Sequence, residues 1–143
     1  MAMTDDEIAT ASGAAMWAED RAAQGLGMTI ERIGPGRAVL TMQVTYAMTN
    51  GHGICHGGFI FTLADTAFAY ACNSRGQRQV AQHAQVTFLA PGRLGMRLVA
   101  EAAERQRAER SGIYDVTVRD QAGLMIAEFR GHSRSIPGKL VDG

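Results

Sequence analysis

One long apolar segment constrains the fold of this chain more than any other feature of the sequence. It extends from Gly57 to Cys72 and contains a single charged residue, Asp65. The spacing of its apolar residues predicts one helix that ends near Asn73. A helix this apolar is usually enclosed, because an exposed face would carry more polar residues. We therefore expect the rest of the chain to wrap around it.

The segments before this helix predict one more helix and two strands. An alanine-rich stretch at residues 5–24 has helical spacing, and Gly25 follows it as a stop. Strands are predicted at residues 28–33 and 38–46. In the second strand, apolar residues alternate with polar ones from Ala38 onward, which predicts one buried face.

Four further strands are predicted after the apolar helix, at residues 80–89, 94–106, 112–119 and 124–135. The turns between them, at Pro91-Gly92, Ser111-Gly112 and Ala122-Gly123, are short enough to join antiparallel neighbours. The simplest arrangement for this order is an α+β fold, with one antiparallel sheet curved around the central helix.

The composition narrows the class of protein. A chain of 143 residues fits one domain, so we predict a single domain over residues 1–143. Lys plus Arg and Asp plus Glu both total 14, whereas nucleic-acid-binding proteins usually carry a basic excess. We therefore expect no nucleic-acid partner. We find neither an apolar run of ~18 residues nor a basic leader, so no membrane partner and a cytoplasmic location are expected. The two cysteines, Cys55 and Cys72, fit that location.

The ten residues 50–59, NGHGICHGGF, contain four glycines immediately before the apolar helix. Glycines let the backbone turn sharply and let a ligand approach it closely. A helix N-terminus adds unpaired N–H groups and the positive end of the helix dipole. Such a place can stabilise a carbonyl oxygen that becomes negative during attack. A plain glycine-rich helix cap is the alternative.

Asp65 is the second candidate for chemistry. Its neighbours one turn away along the helix are mostly apolar, so its carboxylate loses hydration and its pKa should rise. Enzymes place a catalytic base or nucleophile in this way. No basic residue lies within reach on the same helix, but a structural ion pair with a distant arginine is an alternative.

Gly57 and Asp65 are eight residues apart, which is ~12 Å along a helix. One small reacting group cannot touch both ends of that span. Either the two residues are unrelated, or they act together from different subunits. The second option predicts at least a dimer with two equivalent sites.

His52, Cys55 and His56 raise two further possibilities. They could be metal ligands, but a closed site usually takes four protein ligands and a catalytic one takes three. Alternatively, Cys55 could be a nucleophile with a neighbouring histidine as its base. We expect neither a metal nor another cofactor.

Four stretches of the sequence resemble the hotdog-fold acyl-CoA thioesterases of the phenylacetate-pathway (PaaI) type. They are Asn50 with the HGG of residues 56–58, LADTAFAYACNS at 63–74, FLAPG at 88–92, and GIYDV at 112–116 with FRG at 129–131. Together they span roughly residues 40–135. The resemblance implies a hotdog fold, with a curved antiparallel sheet wrapped around a long central helix. It also implies active sites shared between subunits and commonly a dimer of dimers, that is, a homotetramer.

The resemblance also implies a role for each site residue. Asp65 would be the general base or nucleophile, and the Gly57 amide would polarise the thioester carbonyl. Asn50 would orient the attacking water or the substrate, and His56 would support Asn50 and its loop. The substrate would be a small, aromatic acyl-CoA, such as phenylacetyl-CoA or a hydroxylated form, hydrolysed to the free acid and CoA.

One feature of the resemblance is incomplete. Some relatives place a small hydroxyl side chain on the strand after the helix, where it assists the carboxylate. This chain reads AQHA at residues 81–84, so Gln82 or His83 would have to take that role.

Two other functions remain as alternatives: a hotdog hydratase acting on enoyl-CoA, and a non-catalytic protein that binds acyl-CoA.

Overall fold

A six-stranded antiparallel sheet curves around one helix in the computed structural model, which describes residues 2–142. Met1 and Gly143, the two ends of the predicted domain, lie outside the described residues. The elements are α1 (Asp5–Trp17), α2 (Arg21–Gly25), β1 (Thr29–Gly34), β2 (Arg37–Gln43), α3 (Gly57–Cys72), β3 (Gln77–Phe88), β4 (Arg97–Arg107), β5 (Ser111–Arg119) and β6 (Met125–Lys139), with a 3₁₀ turn at Tyr46–Met48. The predicted α+β class and the central helix α3 are confirmed.

The single N-terminal helix predicted at residues 5–24 is wrong, because the chain forms two helices there. The first ends at Trp17, and Asp20 begins the second by accepting a hydrogen bond from the Ala23 N–H at 3.1 Å. An aspartate in this position satisfies a free N–H group at the start of a new helix. The predicted end of the helical region is confirmed, since α2 ends at Gly25, although the left-handed glycine that follows the helix is Gly27, with φ of 70°.

The order of strands in the sheet is β1-β2-β4-β5-β6-β3. The expectation that successive strands after α3 are neighbours therefore fails for β3, which pairs with β6 at one edge, while β4 pairs with β2. The predicted Pro91-Gly92 hairpin turn is instead a crossing over the start of α3. There, the Cys55 N–H donates to the Gly92 carbonyl at 2.7 Å. A Cβ atom at Gly92 would lie 3.2 Å from that of Cys55, so a glycine allows this close approach.

The strands also differ from their predicted limits. Strand β2 ends at Gln43, and Tyr46 already lies in the 3₁₀ turn. Strand β6 continues to Lys139, because its last residues pair with an early start of β3. The side chain of Gln77 donates to the carbonyls of Ile136 and Gly138 at 2.7 and 3.1 Å, which holds this extension in place.

The core lies between α3 and the concave face of the sheet. The predicted buried face of β2 is confirmed, since Ala38, Leu40 and Met42 are all buried. Phe68 of α3 lies directly over Gly131 of β6, where a Cβ atom would come within 2.8 Å of the ring. Burying an aromatic or aliphatic side chain of this size stabilises a fold by about 1.5–3 kcal/mol.

One strip of α3 is only half-buried. It contains Phe61, Thr62, Asp65, Thr66 and Ala69. These residues recur at helical spacing, so they lie on one side of the helix. Phe61 still contacts the sheet, where its ring packs edge-on against Phe129 with centroids 5.4 Å apart. The strip presents Asp65 on the side of α3 that the rest of this chain leaves uncovered.

Candidate active site

The first turn of α3 presents a free N–H group. His56 precedes the helix in an extended conformation (φ −61°, ψ 134°), and its Nδ1 accepts from the Gly58 N–H at 2.9 Å. The Gly57 N–H donates to no acceptor within residues 2–142. It therefore points a free donor outward from the positive end of the helix dipole.

Asn50 organises the loop before this helix. Its Oδ1 accepts from the N–H groups of His52 and Ile54 at 2.9 and 3.4 Å. The Nδ2 group donates to nothing in the described part of the chain, which leaves two N–H donors for a ligand. His56 holds the start of α3 and makes no hydrogen bond to Asn50.

Asp65 has no partner within residues 2–142, whether an ion pair or a hydrogen bond. The nearby hydroxyls of Thr62 and Thr66 instead donate to carbonyls of the helix, those of Gly58 and Thr62, at 2.8 and 2.6 Å. Burial raises the pKa of the Asp65 carboxyl above its usual value, because desolvation penalises the charged form. The distant-arginine alternative therefore finds no support within one chain.

The separation of Gly57 and Asp65 follows from the regular course of α3. The helix is continuous from the first residue to well beyond the second, which places them ~12 Å apart along its axis. A carbonyl oxygen that accepts from the Gly57 amide at ~3 Å is thus out of reach of the carboxylate of the same chain.

The remaining candidates before α3 do not assemble into a site. Cys55 is buried, burial raises the pKa of its thiol, and its S–H group lies 3.6 Å from the His56 carbonyl oxygen. A reactive cysteine needs the opposite shift, toward the thiolate. His52 is exposed, and within residues 2–142 no three His, Cys, Asp or Glu side chains form a group that could hold a metal ion.

Neither Gln82 nor His83 points toward α3. The imidazole of His83 packs edge-on against that of His132, with ring centroids 5.2 Å apart, on the outer face of the sheet. The Gln82 amide donates to the Ser133 carbonyl at 3.3 Å. Ala81 lies opposite Ser133 in the pairing of β3 with β6, so the inward-facing hydroxyl nearest to this position belongs to β6.

A cavity of about 420 Å³ opens at the C-terminal end of α3. Its wall includes Cys72 of the helix, together with Tyr114 and Ser133 of the sheet. Sequence reasoning missed this cavity, because its lining comes from strands that are distant in the chain.

No helix in the described part of the chain is long and apolar enough to cross a membrane.

Comparisons with known proteins agree with this architecture. The family model described as "Thioesterase superfamily" matches residues 52–127. The acyl-coenzyme A thioesterase PaaI of Escherichia coli is 46% identical over 127 residues, which cover 89% of this chain and 91% of that protein.

Solved structures give the same result. The structure of the E. coli PaaI protein from the phenylacetic acid degradation operon superposes with a TM-score of 0.93 at 43% identity, covering 95% of this chain and 99% of that one. A Streptococcus mutans protein whose structure holds acetyl-CoA matches with a TM-score of 0.75 at 26% identity, covering 78% of this chain and 90% of that one. These matches confirm the predicted hotdog fold.

Proposed function

We propose that the substrate of this chain is a small aromatic acyl-CoA. The chain belongs to the thioesterase superfamily and is an acyl-CoA thioesterase. The products would be the free carboxylic acid and CoA. The observation that carries the proposal is the pair of unpartnered groups on α3, the Gly57 N–H donor and the Asp65 carboxylate. Neither has a structural role within residues 2–142 that explains its chemistry, and both suit attack on a thioester.

The thioester carbonyl oxygen accepts a hydrogen bond from the Gly57 amide, which stabilises the negative charge that develops during attack. Asp65 either removes a proton from the attacking water or attacks the carbonyl carbon directly, to give a mixed anhydride that water then cleaves. In both routes the C–S bond breaks and CoA leaves as the thiolate. Both routes require the ionised Asp65 carboxylate. Because the pKa of this group is raised, its gain and loss of a proton occur nearer to neutral pH. Asn50 orients the water or the substrate through its free Nδ2 group, and His56 supports the loop by fixing the start of α3.

A second copy of the chain supplies the missing half of each site. The edge strand β3 carries exposed apolar side chains, with Val80 at 43% exposure and Phe88 at 50%, and Leu89, which follows the strand, is 53% exposed. A long edge strand with apolar residues normally pairs or is covered. A copy placed along β3 and the half-buried strip of α3 would bring its Asp65 to Gly57 of the first chain, and the reverse. Two such dimers would form the proposed homotetramer.

The aromatic acyl group is supported by the name of the E. coli relative and by the operon from which its structure is described. The cytoplasm is the proposed compartment, and two cysteines that form no disulfide fit it.

The test is thiol release from phenylacetyl-, hydroxyphenylacetyl-, benzoyl- and hexanoyl-CoA by the wild type, by Asp65→Asn and by Asp142→Asn. The last variant makes the same chemical change at an exposed position, so its activity should match the wild type. We expect an aromatic ester to have the highest kcat/KM and Asp65→Asn to lose ~10²–10⁴-fold of it.

Three results would contradict the proposal. Faster hydrolysis of hexanoyl-CoA than of every aromatic ester would overturn the acyl class. Tight binding of acyl-CoA without thiol release would favour the non-catalytic alternative, and hydration of an enoyl-CoA would favour the hydratase.

A further inference from the structure

Three adjacent strands carry small residues at the level of Ser133, which lines the cavity at the C-terminal end of α3. Gly112 of β5 pairs with Ser133 of β6, and Ser133 pairs with Ala81 of β3. A Cβ atom at Gly112 would lie 2.8 Å from Tyr114 and 3.1 Å from the Ser133 hydroxyl. Glycine at this position therefore lets Tyr114 and Ser133 pack closely against the backbone of β5.

Ser133 is a buried polar residue without a partner for its side chain. It is only 2% exposed, yet its hydroxyl makes no hydrogen bond with another residue of the range 2–142. Its Oγ is not fully enclosed, because among residues 2–142 Ser12 Oγ is the fully buried side-chain oxygen without a partner. Ser133 lines the cavity, so a group placed there can supply the missing partner.

The cavity lies on the same side of α3 as the proposed catalytic carboxylate. Cys72, which forms its helix wall, follows Asp65 by seven residues, or nearly two full turns, so the two share one face. The distance along the axis is ~10 Å. Ala69 lies between them and is too small to block the path. From standard bond lengths, the hydroxyl of a hydroxyphenylacetyl group lies roughly 6–7 Å from its carbonyl carbon.

The charges around the cavity suit an acyl group and not the nucleotide of CoA. Two guanidinium groups, of Arg75 and Arg107, line it, but two carboxylates offset them. One is Glu109, which is in the lining, and the other is Glu104, which lies outside the lining and pairs with Arg75 at 3.1 Å. Phosphate groups require a net positive site, whereas a neutral ring with one polar substituent does not.

We propose that this cavity receives the far end of the acyl group, and that Ser133 is a specificity-determining residue that bonds to a hydroxyl on the ring. This inference rests on the proposed function, since it assumes that Asp65 acts on an acyl-CoA. Cys72 and Tyr114 then form the apolar walls on either side of the ring.

The experiment compares kcat/KM for phenylacetyl-CoA with that for its 3-hydroxy and 4-hydroxy forms. Ser133→Ala should lower the value for the better hydroxylated substrate about tenfold and leave that for phenylacetyl-CoA within about twofold, since only the hydroxyl loses its partner. Ser12→Ala is the control, because Ser12 is fully buried in α1 and outside this cavity. In a second variant, Cys72→Leu, the narrowed cavity should reduce hydrolysis of all three aromatic esters and spare acetyl-CoA.

The outcomes separate this inference from the function on which it rests. If the wild type hydrolyses these esters but Ser133→Ala changes all of them equally, the cavity is not an acyl site with a hydroxyl contact, and the inference is overturned alone. An unchanged ratio in Ser133→Ala together with unimpaired aromatic hydrolysis by Cys72→Leu would have the same meaning. No thiol release by the wild type from any ester would overturn the proposed function and this inference together.

Discussion

Replacing Gly57 with proline isolates the amide to which we assign carbonyl binding. Proline has no N–H group, and it is well tolerated at the first position of a helix, which Gly57 occupies. The preceding residue, His56, already has the extended conformation (ψ 134°) that proline imposes on its predecessor. The substitution therefore removes one hydrogen-bond donor while α3 begins at the same place.

The expected loss of activity follows from the chemistry of that donor. The Gly57 N–H has no acceptor in residues 2–142, so its removal breaks no bond that stabilises the fold. Loss of one oxyanion donor typically lowers kcat by ~10²–10³, or about 3–4 kcal/mol of transition-state stabilisation. We expect a decrease of this size in the rate of thiol release, with an unfolding temperature close to that of the wild type.

A matched control separates the lost donor from added bulk. Gly57→Ala keeps the N–H group and adds the Cβ atom, which would lie 2.9 Å from the ring of Phe88. That ring is half exposed and can move aside. Gly57→Ala should therefore retain most of the activity that Gly57→Pro loses. If both variants are impaired equally, or if a folded Gly57→Pro is as active as the wild type, the amide is not the donor.

Three further predictions concern Asp65 and the packing over Gly131. Because burial raises the pKa of Asp65, kcat/KM should fall as the pH drops through a value above the ordinary pKa range of aspartate. A decrease in kcat/KM that occurs only within that ordinary range would contradict the assignment. The folded state holds this proton more tightly than the unfolded state, so the carboxylate destabilises the fold above the raised pKa. Thermal unfolding should accordingly show that any gain in stability from Asp65→Asn is largest near neutral pH and shrinks in acid. Gly131→Ala would place a Cβ atom 2.8 Å from two ring carbons of Phe68, which should cost about 1–3 kcal/mol and lower the unfolding temperature by roughly 3–12 °C. Gly34→Ala, with nothing within 4 Å, is the control, and equal effects of the two would refute the packing argument.

The sequence predicted best what depends on residues close together in the chain. The limits of α3 and the buried face of β2 follow from helical or alternating spacing, and the structure confirms both. The break before α2 was missed, because alanines on both sides favour a helix while one side chain, that of Asp20, begins a new one.

Pairings between distant segments were not predictable in the same way. The position of β3 at the sheet edge depends on its contact with β6, about fifty residues later in the chain. A bulge between Ala81 and His83 then shifts the alternation, so His83 faces outward while Ala81 lies opposite Ser133. One extra residue is enough to exchange the two faces of a strand. For the same reason, no local pattern in the sequence marks Ser133 as a neighbour of Ala81.

The central claim is that Gly57 of one subunit and Asp65 of another act on the same thioester. Co-expression of Gly57→Pro and Asp65→Asn chains in equal amounts tests it, since each variant alone should be nearly inactive. In a mixed dimer, one site would combine both intact residues and the other would combine both altered ones. With random pairing, thiol release should therefore return to about a quarter of the wild-type rate. If the mixture assembles into dimers but stays as inactive as its components, the site does not join these two residues across subunits, and the account is contradicted.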